Sequence, residues 1–339
     1  MKQMVNEPAP GEPDISVIVP AHDAAASIGR ALDSVARQQG LSAEIIVADD
    51  ASRDDTAAVV EAWGRAHPAV PLRLVRMEKQ VYALRARLAA LEVARARDVM
   101  YLDADDCWEG SHRLARALAR KRRMECEILH FRTTSFLDGK NEGELLWAAP
   151  PLGTRLTGNG IFAAYARMEY IPLVIWNKIY SRSLLQKAAR LVGDSEIFCF
   201  EDKFFVSLVL MCATSWTSSN EYIYRYNRPG AYPEKKAVRR IHDLLEIRKK
   251  AEELFPLLGI DAQSQGDYFS FIQRRLTLHL GFLSIAVRRK LAEDQSPQSI
   301  LAEITPWLPI SDALAVLAQG MQRNLQRTRK ISRILYEKA

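Results

Sequence analysis

Several features that mark other classes of protein are missing from this sequence of 339 residues. The chain has four cysteines, Cys107, Cys126, Cys199 and Cys212. They form no C-x-x-C pair, so neither a zinc site nor a disulfide framework is indicated, and we expect a reducing compartment. The longest apolar run, residues 204–213, is too short to span a bilayer. The polar, proline-rich residues 1–14 show no signal-peptide pattern, and together these absences predict a cytoplasmic protein.

A glycine-rich phosphate loop is also missing. No G-x-G-x-x-G follows the first predicted strand, residues 15–20, so the charge of a bound pyrophosphate must be neutralised by a metal and by cationic side chains. The six histidines show no metal-ligand spacing. A net charge of +6 favours anionic partners, but no nucleic-acid-binding module is recognisable, and we expect no nucleic-acid partner.

Strands and helices alternate through the first third of the chain. The predicted strands are residues 15–20, 44–48, 72–76 and 99–102. Three helices are predicted between them. The first begins after Ser27 and runs to about Gln39, the second follows a cap at Asp54 or Asp55, and the third spans 82–97. This alternation with short connections predicts a mostly parallel, doubly wound sheet.

Acidic segments follow three of these strands, at residues 20–23 (PAHD), 49–54 (DDASRD) and 103–106 (DADD). Turn and capping chemistry explains each segment taken alone. The carboxyl ends of parallel strands share one edge of the sheet, however, so the three segments together favour a ligand site. Adjacent carboxylates repel unless a cation offsets them, and oxygen ligands suit Mg²⁺ or Mn²⁺.

The order and spacing of these segments resemble those of the family-2 glycosyltransferases, which have the GT-A fold. VIVPAHD at residues 17–23 is similar to the first family motif, with Asp23 where Asn is usual. DDASRD is similar to Asp-Asp-Gly-Ser-x-Asp, with Ala51 in place of Gly. Arg87 matches the Arg of an Arg-Asn-x-Gly helix, although Leu88 and Ala90 depart from it. DADD matches the family's DXD motif fully.

Three later segments continue the resemblance, which covers residues 14–230. They are WNKIY at 176–180, FED at 200–202 and YIYRY at 222–226. The resemblance implies a GT-A (Rossmann-like) α/β fold, with a mostly parallel sheet, an acceptor-side subdomain and a C-terminal helical region. The implied divisions are a nucleotide-sugar-binding half at 14–110, an acceptor-side half at 111–232 and a basic helical region at 233–339.

The resemblance also implies a role for each matched position. The nucleotide is expected to contact Pro20, His22, Asp23, Asp49, Asp50, Arg85, Arg87, Asp103, Ala104 and Asp105. The divalent ion, Mn²⁺ or Mg²⁺, is expected at Asp103, Asp105 and Asp106. Asp202 is the expected catalytic base, and the acceptor is expected near Trp176, Asn177, Lys178 and Glu201.

Glu201, Asp202 and Trp176 also have simpler explanations, and so does Trp147. Glu201 and Asp202 precede a predicted apolar helix at 204–212, and taken alone they are best explained as helix-capping residues. Their place among the other motifs favours the catalytic base. Trp147 and Trp176 are suited to stacking on a sugar ring, but core packing is the commoner role of a tryptophan.

The implied function is that of an inverting, metal-dependent glycosyltransferase. It would move a sugar from a nucleotide-diphosphate sugar, UDP-linked, to a hydroxyl of a saccharide or lipid-linked acceptor in surface polysaccharide or lipopolysaccharide synthesis. The alternative is an inactive nucleotide-sugar-binding module or scaffold, since positions 51, 88 and 90 depart from the family motifs.

The character of the sequence changes beyond residue 232. Residues 233–339 show helical periodicity and many cations, including Lys235, Lys236, Arg274, Arg275, Arg288, Arg289, Lys290, Arg323, Arg327, Arg329, Lys330 and Arg333. Two interpretations stay open. The cations form solvated helix faces, or they dock the protein on anionic lipid headgroups at the inner face of the membrane.

Overall fold

The computed structural model describes residues 3–5, 11–137, 140–150, 153–167, 174–227, 237–293 and 295–304, with single positions at 316, 318 and 322. The strands are β1 (Gln3–Val5), β2 (Ile15–Ala21), β3 (Ala43–Asp49), β4 (Leu72–Arg76), β5 (Asp98–Tyr101), β6 (Cys107–Trp108), β7 (Ile128–Leu137), β8 (Lys140–Glu144), β9 (Arg155–Thr157), β10 (Lys178–Ser181) and β11 (Ser215–Asn227).

The helices are α1 (Ile28–Ala36), α2 (Thr56–Ala66), α3 (Tyr82–Val93), α4 (Arg113–Arg123), α5 (Asn159–Ala166), α6 (Arg182–Val192), α7 (Glu201–Cys212), α8 (Ala237–Leu258), α9 (Ala262–Ala292) and α10 (Pro297–Ile304), with a 3₁₀ turn at Leu146–Ala148. The chain divides into two compact units. Unit 1 is Met1–Gly230 with Leu257–Gln265, and unit 2 is Ala231–Pro256 with Gly266–Ala339. The predicted three-part division stays a prediction.

The parallel core of unit 1 has the strand order β4-β3-β2-β5. Its strands are apolar along their length because both faces are covered, and Ile15, Val17, Ile18 and Val19 of β2 have no exposed surface. The α/β alternation predicted from the sequence is therefore confirmed. The carboxyl ends of β2, β3 and β5 lie at one edge of the sheet, where the acidic segments begin.

The sheet continues beyond β5 in the order β10-β7-β11-β6. Here β10 runs antiparallel to β5 and β7, whereas β11 runs parallel to β7. At the other edge, β1 pairs antiparallel with β4, a strand that the sequence did not predict. The register of β11 against β6 sets Tyr224 beside Trp108, so β11 passes close to the acidic turn that follows β5.

Helix α3 ends four residues earlier than predicted, at Val93 instead of Arg97. Ala94 is extended (φ −67°, ψ 136°), and tertiary partners take the backbone groups that a longer helix would have used. The Arg95 N–H donates to the Glu44 carboxylate at 2.7 Å, and the Ala94 carbonyl accepts from Arg182 at 2.8 Å. These partners are remote in sequence, so local periodicity did not reveal them.

The described part of unit 2 is helical, as predicted for residues beyond 232. The ring of Phe255 near the end of α8 packs edge-on against Tyr268 of α9, with centroids 5.8 Å apart. Among the described residues, no helix combines the length and apolar character needed to cross a bilayer. Several predicted cations, Lys235, Lys236, Arg323, Arg327, Arg329, Lys330 and Arg333, lie outside the described residues.

Candidate functional site

A cavity of about 410 Å³ opens at the carboxyl edge of the parallel strands. Eight of the ten predicted nucleotide contacts line it: Pro20, His22, Asp23, Asp50, Arg87, Asp103, Ala104 and Asp105. The topology causes this convergence, because parallel strands deliver their following loops to the same edge. The remaining lining is mostly small, from Ala21, Ala24, Ser27, Ala83 and Ala86. These five residues were not predicted, and short side chains leave the cavity its room.

The loops after β2 and β3 are tied together at the cavity wall. The ring nitrogen Nδ1 of His22 lies 2.8 Å from the Asp50 carbonyl, and the Asp23 carboxylate accepts from the Arg53 N–H at 2.7 Å. The buried Asp50 carboxylate accepts from the Val81 N–H at 2.6 Å. These contacts hold the first two acidic segments against each other and against the start of α3.

Ala51 has a backbone φ of +55°, in the left-handed region that favours glycine. The family that the sequence resembles carries glycine at this position. A left-handed backbone favours glycine because it has no Cβ, and in this chain the alanine side chain strains the turn.

Arg87 of α3 is the cation at the centre of the site. Its Nη2 donates to Asp103 at 3.0 Å, and its Nη1 donates to Asp202 at 2.5 Å. Glu201 lies 3.9 Å from Nη1. Burial disfavours the charge of the 4% exposed Arg87, but the three carboxylates outweigh burial and hold its pKa above the usual range. Arg87 thus links the acidic turn after β5 to the start of α7.

The start of α7 differs from the sequence prediction. The helix begins at Glu201 instead of Phe204, so Glu201 and Asp202 lie in its first turn. The residue before the helix, Phe200, has φ +64° and provides no side-chain capping hydrogen bond. Asp202 therefore does not occupy the N-cap position, although a carboxylate in the first turn interacts favourably with the helix dipole.

Both carboxyls at the start of α7 are protonated more readily than usual. Burial raises the pKa of Asp202, and the charge of Asp103 adds to this effect while Arg87 opposes it. Burial and the charge of Asp202 raise the pKa of Glu201 to about 7. A carboxylate with a raised pKa is a better proton acceptor, which is what a general base requires.

The three aspartates of the turn after β5 face different surroundings. Asp103 and Asp105 line the cavity, and Asp105 is exposed. Asp106 is 1% exposed and does not line it. Its Oδ2 accepts from the Tyr224 hydroxyl at 2.6 Å, and its Oδ1 accepts from the Asn227 N–H at 2.6 Å. The structure therefore places Asp106 in the hydrogen-bonded support of the turn.

The pKa values of these groups reflect that difference. Burial, with the charges of Asp103 and Asp105, raises the pKa of Asp106 well above its usual value, although Tyr224 and Asn227 oppose the shift. Desolvation by the surrounding chain and the charge of Asp103 also raise the pKa of Asp105. A cation near Asp103 and Asp105 would relieve the repulsion between them.

The predicted metal trio is not assembled. Across the part of the chain that the structure describes, no three His, Cys, Asp or Glu side chains are grouped as a metal-ligand set. Asp103 and Asp105 nevertheless fit a divalent ion. Mg²⁺ commonly binds through one or two carboxylates and completes its shell with water and substrate phosphates. These two residues, without Asp106, match that donor set.

Two predicted nucleotide contacts lie away from the cavity. The 1% exposed Asp49 accepts from the Ser52 N–H at 3.1 Å, and Arg76 lies 3.5 Å from it. Arg85 donates to the carbonyls of Gly193 at 2.7 Å and Ser195 at 3.0 Å, and it lines a separate cavity of about 450 Å³. Asp49 thus stabilises its own turn, and Arg85 holds the loop that leads towards α7.

Three of the four predicted acceptor residues are buried. Trp176 is 2% exposed, and its ring stacks on Tyr224 with centroids 4.5 Å apart. Asn177 and Lys178 have no exposed surface, and Lys178 Nζ donates to the Asn177 side chain at 2.7 Å. Burial lowers the pKa of Lys178 to about 7, with Asp202 opposing the shift. These residues support the site from within the core, and Glu201 alone of the four is partly exposed.

Tyr224 is a site residue whose role the sequence did not show. Its hydroxyl donates to Asp106 and accepts from the Asp103 N–H at 3.0 Å. The YIYRY segment was noticed as a motif, but its contact with the acidic turn depends on the pairing of β11 with β6. Tyr224 therefore sets the orientation of the turn from a strand more than a hundred residues away.

Part of the chain is similar in sequence to proteins of polysaccharide biosynthesis. Succinoglycan biosynthesis protein ExoO of Rhizobium meliloti is 36% identical over 94 residues, 28% of this chain and 26% of that protein. The UDP-Glc:alpha-D-GlcNAc-diphosphoundecaprenol beta-1,3-glucosyltransferase WfgD of Escherichia coli is 29% identical over 128 residues, 38% of this chain and 46% of that protein. The chain thus matches less than half the length of these relatives.

Solved structures share the fold at low sequence identity. The structure of S. aureus TarS 1–349 is 21% identical, covers 91% of both chains and has a TM-score of 0.57. The mannosyltransferase PcManGT from Pyrobaculum calidifontis is 19% identical, covers 93% of this chain and 88% of that one, and has a TM-score of 0.53. The sequence profile of one family, "Glycosyl transferase family 2", matches residues 16–189, which include the cavity and its acidic turn. The chain belongs to glycosyl transferase family 2.

Proposed function

We propose that the chain is an inverting, metal-dependent glycosyltransferase of surface polysaccharide or lipopolysaccharide synthesis. Its donor would be a nucleotide-diphosphate sugar that is UDP-linked, and its acceptor would be a hydroxyl of a saccharide or of a lipid-linked molecule. One observation carries the proposal. A single buried cation, Arg87, contacts both Asp103 at the donor cavity and Asp202 at the start of α7. The groups needed for donor binding and for proton removal therefore share one site.

The donor assignment rests on the chemistry of the cavity wall. Asp50 lines the cavity, and a carboxylate accepts hydrogen bonds from N–H groups such as the imide of uracil. Arg87 lines the same cavity, and its positive charge would attract the phosphates of a diphosphate. The name of WfgD includes UDP-Glc, and TarS has been solved with UDP-GlcNAc. Both names are consistent with a UDP-linked donor.

Asp103 and Asp105 would hold a Mn²⁺ or Mg²⁺ ion together with phosphate oxygens of the donor. Bound there, the ion would stabilise the negative charge of the departing nucleoside diphosphate. The solved complex of PcManGT contains GDP-Man and Mn²⁺. Asp106 would act indirectly, since its contacts with Tyr224 and Asn227 keep the turn in position.

Asp202 is the proposed general base. In the transfer step, the acceptor oxygen forms a bond to the anomeric carbon, the bond from that carbon to the diphosphate oxygen breaks, and Asp202 takes the hydroxyl proton. A single displacement of this kind inverts the anomeric centre. The raised pKa of Asp202 favours proton uptake, and Arg87 fixes the orientation of the carboxylate.

A screen of nucleotide sugars tests the function directly. Binding is measured by titration calorimetry with and without Mn²⁺, and nucleotide release is measured with the same donors and a broad panel of acceptors. We expect metal-dependent binding of a UDP-sugar together with release of UDP. Metal-dependent binding with no hydrolysis or transfer would instead favour an inactive nucleotide-sugar-binding module, and no nucleotide-sugar binding would overturn both functions.

A further inference from the structure

Helix α9 has two faces of different character within unit 2. Its inward face is made of buried residues, Tyr268, Phe271, Ile272, Leu276, Leu283 and Val287. On the opposite face lie three large apolar side chains that are about half exposed: Leu278 at 45%, Phe282 at 46% and Ile285 at 48%. Their spacing of four and three residues places them in one row along the helix. We call these three residues the α9 stripe.

Cations lie at both ends of the α9 stripe. Arg274 is four residues before Leu278, and Arg289 is four residues after Ile285, so both lie on the same helix face. Both are exposed. The rise of an α-helix separates them by about 22 Å. The exposed face therefore reads Arg, Leu, Phe, Ile, Arg along its length.

Cations outnumber acids along α9 and its borders. Residues 267–294 include five cations, Arg274, Arg275, Arg288, Arg289 and Lys290, and three acids, Asp267, Glu293 and Asp294, which lie beyond the two ends of the α9 stripe. The neighbouring helix α8 carries four acidic residues, Asp243, Glu246, Glu252 and Glu253. Three of them pair within α8: Asp243 with Arg239 at 2.8 Å, Glu252 with Arg248 at 3.0 Å and Glu253 with Lys250 at 3.3 Å. The face of α9 thus combines apolar side chains with positive charge.

We infer that the α9 stripe docks the protein on a lipid bilayer that carries anionic headgroups. Leu278, Phe282 and Ile285 would enter the boundary between headgroups and acyl chains, while Arg274 and Arg289 contact the headgroups. An interfacial helix of this kind needs an apolar face and cations beside it, and the face of α9 has both. The inference is independent of the proposed sugar transfer.

Charge complementarity favours a membrane over two other occupants. Two copies of α9 that paired antiparallel about the middle of the stripe would place Arg274 of each copy beside Arg289 of the other, and these like charges repel. A nucleic acid would match the cations, but its phosphates offer no partner for three apolar side chains. Anionic lipids match both the charge and the apolar surface.

Vesicle sedimentation of the full chain tests the inference. The probes are vesicles of phosphatidylcholine alone and vesicles of phosphatidylcholine with phosphatidylglycerol. We expect the chain to sediment with the second kind at low salt and less at high salt, because salt screens surface charge. Phe282→Asp is expected to weaken this binding by about tenfold or more, since it replaces the central apolar contact with a repelled charge.

Leu257→Asp is the matched control. Leu257 lies in α8, outside the stripe, and is 78% exposed, so this variant introduces the same charge change at another apolar surface residue. It is expected to keep most of the vesicle binding. Phe282→Gln removes the apolar side chain without adding a charge, so it separates these two effects of Phe282→Asp. Arg274→Gln removes a cation and is expected to weaken binding to the anionic vesicles alone. Thermal unfolding of each variant confirms that it is folded.

Three outcomes would overturn the inference. They are a full chain that ignores anionic vesicles at low salt, a folded Phe282→Asp variant that binds as the parent does, and equal losses in Phe282→Asp and Leu257→Asp. A dimer in solution that Phe282→Asp dissociates, without any vesicle binding, would assign the stripe to a second copy. Donor-dependent release of UDP in detergent-free solution is expected to be the same in Phe282→Asp and parent, which separates this result from the proposed transfer.

Discussion

Buried carboxylates are compensated differently at the two ends of the parallel strands in unit 1. At the amino end, each carboxylate is matched by cations and donors. Asp98, at the start of β5, is 1% exposed and accepts from Lys121 at 2.7 Å, with Arg122 at 3.5 Å. Glu44, near the start of β3, accepts from Ser16 at 2.6 Å and from Arg95. This edge has its charge compensated internally.

At the carboxyl end, carboxylates outnumber the cation that binds them. Arg87 contacts Asp103, Glu201 and Asp202, and Asp105 lines the same cavity as Arg87 and Asp103. Desolvation is the largest cause of the raised pKa values of Asp105, Glu201 and Asp202, and the charges of neighbouring carboxylates add to it. The contrast teaches that the amino edge is built for stability. The carboxyl edge keeps an excess of negative charge, which the proposed cation and the proposed base would use.

The largest expected effect is at the carboxyl edge. Asp202→Asn preserves the size of the side chain and one acceptor oxygen but cannot take a proton. Sugar transfer is expected to fall by roughly two to four orders of magnitude, the range that loss of a general base produces, while donor binding survives. The measurement is turnover per folded molecule, with thermal unfolding on the same preparation. A variant that transfers sugar at the parent rate would show that Asp202 is not the base.

The amino edge is tested by Lys121→Met. This change leaves the Asp98 carboxylate buried with a lost partner, and the free energy of unfolding is expected to fall by about 3–5 kcal/mol. Urea denaturation measures the loss. The control is the double variant Asp98→Asn with Lys121→Met, which removes the charge of the carboxylate as well and should recover part of the stability. A loss below about 1 kcal/mol in Lys121→Met would contradict the assigned role, because solvent-exposed ion pairs contribute that little to stability.

Asp105→Asn and Asp106→Asn separate the two kinds of aspartate in the acidic turn. Asp105→Asn removes a proposed metal ligand, so the affinity for a UDP-sugar with Mn²⁺ should fall by about tenfold or more, with little change in thermal stability. Asp106→Asn replaces one buried acceptor with a donor, so the free energy of unfolding should fall by about 1–3 kcal/mol. Calorimetric titration and thermal unfolding of both variants check the two losses. The assignment fails if Asp106→Asn alone loses the response to metal.

The smallest effect concerns the turn that carries Asp50. Ala51→Gly relieves a left-handed backbone conformation and should raise the free energy of unfolding by about 1 kcal/mol. Ala62→Gly is the matched control, since Ala62 is exposed in the interior of α2 and the same substitution should cost about 1 kcal/mol there. Chemical denaturation of both variants measures whether each substitution raises or lowers the free energy of unfolding. Equal destabilisation would mean that the turn is not strained.

The sequence alone was sufficient to predict the parallel core and the edge at which the site lies. Buried parallel strands are continuous apolar runs, and their order along the chain determines where the following acidic segments meet. The local motifs were also sufficient to name Asp50, Arg87, Asp103, Asp105 and Asp202 as residues of one region. Four of these line the same cavity, and Arg87 contacts the fifth.

Only the tertiary structure decided which way individual side chains face. Asp105 and Asp106 are adjacent in sequence, yet Asp106 accepts a hydrogen bond from Tyr224, a residue 118 positions later. Arg85 and Arg87 lie on one helix, but Arg85 is engaged by the loop after α6 and Arg87 by the site. The periodicity and motifs of a segment describe its own conformation. The partner of a polar group depends on strands and loops that are distant in sequence, and here these partners separate the cavity residues from those that support them.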